Sequence, residues 1–293
     1  MALIKRIHHD EIEGVRFGKY NLADNSTAVI YRIGDTLIDT GPPNQWAEVN
    51  HYLSDKPISQ VVLTHHHEDH SGNAARISKT FSIPVYVHNS GITPIQHGFS
   101  LKPYQKLFWG RPKTFRPAPI PEEIKTNTGH TLMPIHTPGH APDHVCFLEP
   151  EKKWLFTGDL FLATRPKLFR ADEALTGEIN SLKKVLTHQF QTVFCAHKGV
   201  VKDGYDAIRQ KLDYFLKLVH RVKGLYAEGN TVSEITKQVF GKKNDLIGLI
   251  SLNHICYKNL TKECLKVEDE VAWAEYAPHS PFRQCIYDRV GHL

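Results

Sequence analysis

A dense run of residues that could bind metal ions stands out in the first quarter of the chain. The run is Thr64-His65-His66-His67-Glu68-Asp69-His70, which has the pattern H-x-H-x-D-H. An extended chain points residues i and i+2 to the same side, so His65 and His67 can bind one cation together. Asp69 and His70 follow at the turn, where they can reach a second cation beside the first.

Imidazole and carboxylate groups at this density suit zinc or a similar transition metal. A metal ion that protein nitrogens hold with one open coordination position activates water at neutral pH. The alternatives are a solvated surface cluster or an expression tag, but a tag lies at a terminus and contains no interleaved carboxylates. The pattern therefore indicates a metallohydrolase.

Composition places the chain among ordinary globular proteins. It has 293 residues, of which 41% are apolar and 23% charged, enough for one large domain or a domain with an appendage. The net charge of +5 permits acidic substrates without identifying a nucleic-acid binder. The five cysteines include no CxxC pair, and neither a signal-peptide core nor a long apolar run is present. These features predict a cytoplasmic protein without a transmembrane segment.

Hydrophobic patterns predict a β-rich start followed by alternation of strands and helices, which implies sheets with helices packed outside. The predicted strands are 14–20, 27–33, 36–39, 60–64, 84–88, 131–136, 144–148, 153–157 and 192–196, and the predicted helices are 46–53, 71–81 and 178–188.

The last third of the chain has a different character. Apolar residues at 208, 212, 215, 216, 219 and 222 form a helical stripe. Thr231 and Glu234 have the spacing of a capping box, and a helical pattern continues over 246–260. We therefore expect a catalytic domain over 1–204 and a mostly helical C-terminal region over 205–293.

Two basic segments are candidates for substrate recognition. Residues 98–121 contain five prolines, interleaved aromatic residues and no acidic residue, and a loop of that length is usually functional or mobile. Arg165, Lys167 and Arg170 form the second segment, in which Arg165 and Lys167 are the predicted substrate-binding residues. Such cations fit an anionic or amphiphilic substrate, and the alternative is a solvated charged loop.

Further ligands are expected at other strand ends. His140 lies on a tight turn after a predicted strand, with His136 and His144 as flanking alternatives. Asp159 follows Gly158, which lets backbone come close to a bound ion. His197 follows the last strand of the sheet.

With these residues in order, the chain resembles the metallo-β-lactamase fold superfamily over roughly residues 10–200. The segment from Thr36 to Gly41 matches that superfamily as well. The resemblance implies an αββα sandwich with the site at one edge of the two sheets. The C-terminal helices resemble the winged-helix-like piece of lactamase-like endoribonucleases, although a clear β-wing hairpin is missing. The resemblance to the metallo-β-lactamase superfamily also implies a ligand set. The set is His65, His67 and His140 for metal one, Asp69, His70 and His197 for metal two, and Asp159 as the bridge.

The resemblance implies two divalent ions, zinc first, with iron or manganese as alternatives. A hydroxide that bridges the ions would attack a carbonyl, and Asp69 would also pass a proton to the leaving group. Asp39 is predicted to be a buried acceptor that orders the ligand loop. Fold alone does not choose the substrate.

The favoured hypothesis for the function is cleavage of a thioester, ester or lactone, as in glyoxalase II and the lactonases. A phosphodiesterase acting on RNA comes second. A mononuclear iron dioxygenase and a non-catalytic scaffold follow. A small-molecule substrate is expected, and the oligomeric state is left open, with a homodimer among the alternatives.

Overall fold

A computed structural model describes residues 3–18, 27–241 and 246–273. Its first sheet places seven strands side by side in chain order, antiparallel from the first to the fourth and parallel from the fourth to the seventh. These strands are β1 (Leu3–His9), β2 (Ile12–Gly18), β3 (Ala28–Ile33), β4 (Thr36–Ile38), β5 (Gln60–Val62), β6 (Val85–Val87) and β7 (Ala118–Pro119).

The second sheet has the order β14-β13-β11-β10-β9-β8, and β11 and β13 are its parallel pair. A short strand, β12, lies outside this sheet and pairs antiparallel with β15 in the C-terminal region. The strands are β8 (Ile124–Lys125), β9 (Thr131–His136), β10 (Val145–Glu149), β11 (Trp154–Gly158), β12 (Phe169–Arg170), β13 (Thr192–Cys195), β14 (Gly199–Val201) and β15 (Ile255–Cys256).

Aromatic residues fill the space between the two sheets. Side chains alternate across a strand, so each sheet turns one face inward. Tyr31 of the first sheet meets Phe194 of the second with ring centroids 5.4 Å apart, and Phe156 stacks on Phe194 at 4.7 Å. This inner layer packs the two sheets against each other.

Helices cover the outer faces of both sheets, so the predicted αββα sandwich with C-terminal helices is confirmed. Helices α1 to α3 pack on the first sheet, and α5, α6, α7 and α9 on the second. The helices are α1 (Trp46–Leu53), α2 (Ala74–Phe81), α3 (Asn89–His97), α4 (Pro103–Phe108), α5 (Leu175–Val185), α6 (Gly204–Ala227), α7 (Val232–Phe240), α8 (Leu246–Ile250), α9 (Tyr257–Lys266) and α10 (Asp269–Trp273).

The predicted helix over 46–53 and the predicted strand over 131–136 have the observed bounds. The prediction that 246–260 continues as a helix is wrong, because the segment contains α8, β15 and the start of α9. Leu252 and Asn253 have positive φ angles of 54° and 61°, which reverse the chain after α8 and allow β15 to form. Strand β1 was not predicted, and the segment 98–121 contains a helix, α4, and a short strand, β7.

The C-terminal helices share their core with the second sheet, because α6 and α9 pack against α5, and α7 packs on α6 and α9. Thr231 opens α7 with the predicted capping box: its backbone N–H donates to Glu234 Oε2 at 2.8 Å. Within residues 204–241 and 246–273 there is no strand hairpin, so that part forms no winged helix. The domain division at residue 204 stays a prediction.

No helix in the described residues is both long enough and apolar enough to span a bilayer.

Candidate metal centre

Loops at one edge of the two sheets bring all seven predicted ligands together. The first four follow β5, one follows β9, one follows β11 and one follows β13. Every one of these side chains is buried. They are His65, His67, Asp69, His70, His140, Asp159 and His197.

The first group consists of three histidines, which are His65, His67 and His140. The Nε2 atom of His65 lies 2.9 Å from Nδ1 of His67, which in turn lies 3.0 Å from Nε2 of His140. Burial lowers the pKa of His65 and of His67 well below the usual value, so both rings are neutral. Three ring nitrogens this close are best accommodated around a shared cation.

The second group consists of Asp69, His70 and His197. Nε2 of His197 lies 3.5 Å from Asp69 Oδ2, and Nε2 of His70 lies 3.8 Å from Asp69 Oδ1. The first group therefore offers three imidazole nitrogens, whereas the second offers two imidazole nitrogens and one carboxylate.

Asp159 lies between the two groups and faces one with each oxygen. Its Oδ1 atom is 3.1 Å from His197 Nε2 and 3.3 Å from His70 Nε2. Its Oδ2 atom is 3.2 Å from His140 Nε2, in the first group. The side chain thus lies within reach of both ligand groups.

Partners outside the centre fix which nitrogen of each ring faces inward. The Nδ1 atom of His140 donates to Glu173 Oε1 at 2.5 Å, and that of His197 donates to the carbonyl oxygen of Thr27 at 2.6 Å. Both rings therefore direct Nε2 to the centre. Glu173 was not identified from the sequence.

Asp39 orders the ligand loop, as predicted. It is buried, and its φ angle is 63°. Its carboxylate accepts hydrogen bonds from Thr64 N, Thr64 Oγ1 and His70 Nδ1, each at 2.8 Å. One side chain therefore holds both the first turn of the loop and its last ligand.

Asp39→Ala is expected to weaken metal binding by about 10-fold to 100-fold, because the ring of His70 loses the acceptor that orients it. Equilibrium dialysis of the variant against zinc measures this change. Asp35→Ala is the matched control, since Asp35 lies on the adjacent turn and contacts Ser59 and Asn127 instead. Equal zinc affinity for the Asp39 variant and the wild type would contradict the role given to Asp39.

The charges of the centre fit cations. Burial would raise the pKa of Asp159, but His197, His70 and His140 hold it well below its usual value. Among the described residues, the buried atoms His70 Nε2 and Asp159 Oδ1 have no hydrogen-bond partner. A metal ion at these atoms would replace the protons that the histidines otherwise carry, so the residues present fit divalent metal ions.

The flanking histidines do not face the centre. His136 Nε2 donates to the carbonyl oxygen of Pro142 at 2.9 Å. His144 Nδ1 donates to Thr137 Oγ1 at 2.8 Å, and its Nε2 atom accepts from the backbone N–H of Asp159 at 3.1 Å. Burial lowers the pKa of His144 to about 3, so that the ring stays a neutral acceptor. His144 thereby orients Asp159.

Gly158 allows this close approach. Its φ angle is 47°, and a Cβ atom there would lie 2.7 Å from Nε2 of His144 and 2.8 Å from Cβ of Thr64. A larger residue would push the end of β11 away from the centre.

In the loop that carries the first four ligands, His66 and Glu68 face away from the candidate centre. His66 Nδ1 contacts Asp143 Oδ1 at 2.7 Å. Glu68 is fully buried and accepts from Gln105 Nε2 of α4 at 2.8 Å. This last bond anchors the 98–121 segment behind the ligand loop; its role as a substrate lid stays a prediction.

Arg165 and Lys167 are exposed. Burial raises the pKa of Tyr214 of α6 to about 12, and the nearby charge of Arg165 opposes that rise, which places Arg165 beside the C-terminal helices. The substrate contacts of both residues stay predictions. Arg170 is the cation of this segment that lies near the ligands: its charge, after burial, lowers the pKa of His67. Nothing in the sequence distinguishes it from its two neighbours.

Comparison with known proteins agrees with this geometry. The sequence profile described as the metallo-beta-lactamase superfamily matches residues 23–197, which include all seven candidate ligands. A beta-lactamase domain protein from Burkholderia ambifaria has a similar fold, with a TM-score of 0.70 at 16% identity over 89% of this chain and 87% of that one.

Several curated fungal relatives are named as thioesterases. An atrochrysone carboxyl ACP thioesterase from Claviceps purpurea (strain 20.1) is 26% identical over 78% of this chain and 70% of its own length. The thioesterase pkgB from Emericella nidulans is 40% identical over 42% of this chain and 31% of its own length. For two further relatives the match spans 65% and 55% of their length.

Proposed function

The chain belongs to the metallo-beta-lactamase superfamily and is a hydrolase of that fold, and from this premise we propose that it cleaves thioesters with two metal ions. The position of Asp159 carries the proposal. Its two oxygens face two separate ligand groups at 3.1 and 3.2 Å, an arrangement that suits a pair of ions sharing one carboxylate. Zinc is the proposed metal, because imidazole and carboxylate ligands suit it.

The candidate ligands form two sets, one for each proposed ion. His65, His67 and His140 would hold one ion, and Asp69, His70 and His197 the other, with Asp159 between them. Bound there, the ions would supply Lewis acidity and an activated water molecule.

Outer residues keep the ligands in position. Glu173, Thr27 and Asp39 hold the rings of His140, His197 and His70, so no ring has to reorient when substrate binds. Two divalent ions and the carboxylates of Asp69 and Asp159 leave a positive centre, which favours the negative charge that develops on a carbonyl oxygen during acyl transfer.

Asp69 is the proposed proton carrier. Its side chain contacts His197 and His70 only at 3.5 and 3.8 Å, so it is less constrained by them than Asp159 is. At 8% exposure it can reach a departing sulfur atom at the mouth of the site.

The names of the fungal relatives support a thioester substrate. Several of them are named as thioesterases, and the name of the relative from Claviceps purpurea is atrochrysone carboxyl ACP thioesterase. A thiolate is a good leaving group, so cleavage depends on water activation and oxyanion stabilisation, both of which this centre is built to supply.

A substrate panel tests the proposal. The zinc-loaded protein is given acyl thioesters, lactones, phosphodiesters and RNA, with Asp159→Ala as the inactive control. We expect the highest kcat/KM on thioesters, two zinc ions per chain and loss of activity on chelation. Preferential RNA cleavage with a rate that falls steeply with salt, or one iron per chain with persulfide oxidation, would contradict it.

A further inference from the structure

Arg170 is fixed beside the candidate metal centre by a side-on ion pair. Its Nε atom donates to Asp172 Oδ1 at 3.0 Å and its Nη2 atom to Asp172 Oδ2 at 3.1 Å. The side chain of Arg170 is 15% exposed. The guanidinium group is therefore held in one orientation and still reaches solvent.

Two further segments hold Asp172 in place. His254, the residue before β15, directs Nε2 to Asp172 Oδ1 at 3.4 Å. Its Nδ1 atom accepts from the hydroxyl of Tyr104 on α4 at 2.8 Å. Both His254 and Tyr104 are buried. The basic 98–121 segment and the C-terminal region thus meet at this arginine, and both contribute to its position.

The arginine lies next to the first ligand group. Its backbone N–H donates to Glu173 Oε2 at 2.8 Å, and the other oxygen of Glu173 orients His140. One carboxylate, that of Glu173, thus connects the backbone of Arg170 with the ring of His140.

Asp172 occupies only one edge of the guanidinium group. In the described part of the chain, Nη1 of Arg170 has no hydrogen-bond partner, and it is not among the buried unsatisfied atoms. An arginine bound through Nε and Nη2 still presents the edge formed by Nη1 and Nη2. That edge matches the two oxygens of a carboxylate.

We propose that Arg170 binds a carboxylate on the acyl part of the thioester, and that Asp172, His254 and Tyr104 position it for this purpose. The inference rests on the proposed thioesterase function and names its substrate class. The phosphate of a coenzyme or carrier arm is a second source of anionic oxygen. It lies many bonds from the thioester, whereas Arg170 shares the carboxylate of Glu173 with the ligand His140, near which the reacting carbonyl has to bind.

Four thioesters separate these sources. Glutaryl and valeryl groups, which differ by a carboxylate, are each attached to N-acetylcysteamine, which has no phosphate, and to coenzyme A. Arg170→Met is expected to lower kcat/KM for both glutaryl thioesters about 10-fold to 100-fold and for both valeryl thioesters by less than about threefold. Tyr104→Phe, which removes one hydroxyl from the support, is expected to give a smaller loss confined to the glutaryl pair.

Arg209→Met is the matched control, because Arg209 pairs with Asp206 on the exposed face of α6. It should change none of the four values. An equal loss on all four thioesters in Arg170→Met, or a loss confined to the coenzyme A thioesters, would overturn the proposal.

Binding of non-hydrolysable thioether analogues gives a readout that does not depend on turnover. Calorimetry is expected to show at least tenfold weaker binding of the glutaryl analogue to Arg170→Met and unchanged binding of the valeryl analogue. Equal binding of both analogues to wild type and variant would overturn the proposal. If wild type binds the glutaryl analogue in this Arg170-dependent way but hydrolyses no thioester, the thioesterase function fails and the carboxylate site stands.

Discussion

Replacement of Asp159 by asparagine is expected to lower kcat/KM by roughly 1000-fold, about 4 kcal/mol of transition-state free energy. Asparagine keeps the shape of the side chain but removes the charge that faces His140 at 3.2 Å and His197 at 3.1 Å. Without that charge, the second ion of the proposed pair would lose one of its two carboxylate ligands. We therefore expect about one zinc per chain in the variant and two in the wild type.

Two measurements check this prediction: metal content after dialysis and kcat/KM on the best thioester. Asp143→Asn is a matched control, because Asp143 is also a buried aspartate near the site but contacts His66, which faces away from the ligands. We expect it to keep both ions. An Asp159→Asn protein with two bound ions and the wild-type rate would show that the bridge is dispensable.

The sequence was sufficient to predict that the seven side chains come together, because strand ends converge and the order of the residues resembles that of the superfamily. His140, Asp159 and His197 each follow a predicted strand, and strands that run in the same direction in a sheet deliver their following loops to a common edge. Their order along the chain resembles the order of the metal ligands in the metallo-β-lactamase superfamily. The partners of the ligands were harder to predict, since Glu173 and Thr27 lie far from His140 and His197 in sequence and have no pattern of their own.

Pairing between distant segments was equally invisible in the sequence. His254 and Tyr104 are separated by 150 residues, and their contact depends on β15 pairing with β12. The pattern over 246–260 predicted a helix because apolar spacing does not reveal a turn at Asn253. Arg170 could not be separated from Arg165 for the same reason: only the tertiary fold makes Arg170 half-buried and Arg165 exposed.

Helix α6 shows a further limit of periodicity. Ile208, Leu212 and Phe215 of the predicted stripe are fully buried. Lys211 is also buried, at 2% exposure, although its charge would suggest a solvated position. It forms an ion pair with Glu178 of α5 and donates to the carbonyl oxygen of Leu160 at 2.7 Å. Because Leu160 follows Asp159 directly, this lysine of the C-terminal region supports the loop that carries the proposed bridging ligand.

Lys211→Met is therefore expected to lower the free energy of unfolding by about 3–5 kcal/mol near pH 7, because it leaves the carboxylate of Glu178 buried without its partner. Burial raises the pKa of Glu178 even when the lysine is present. A folded-state pKa above the unfolded value costs stability as pH rises through that range. The deficit of the variant should therefore shrink as pH falls and Glu178 becomes protonated. Urea denaturation across pH measures both effects.

The double variant Lys211→Met/Glu178→Leu separates the buried charge from the loss of packing. Replacing both partners with apolar residues removes the uncompensated charge, so most of the lost stability should return. Lys217→Met, at an exposed position of the same helix, should change the free energy of unfolding by no more than about 0.5 kcal/mol. If the double variant were as unstable as Lys211→Met, the bond from Lys211 to Leu160 would be the main contribution. In that case, zinc binding should weaken in both variants, since the loop after β11 would lose its support.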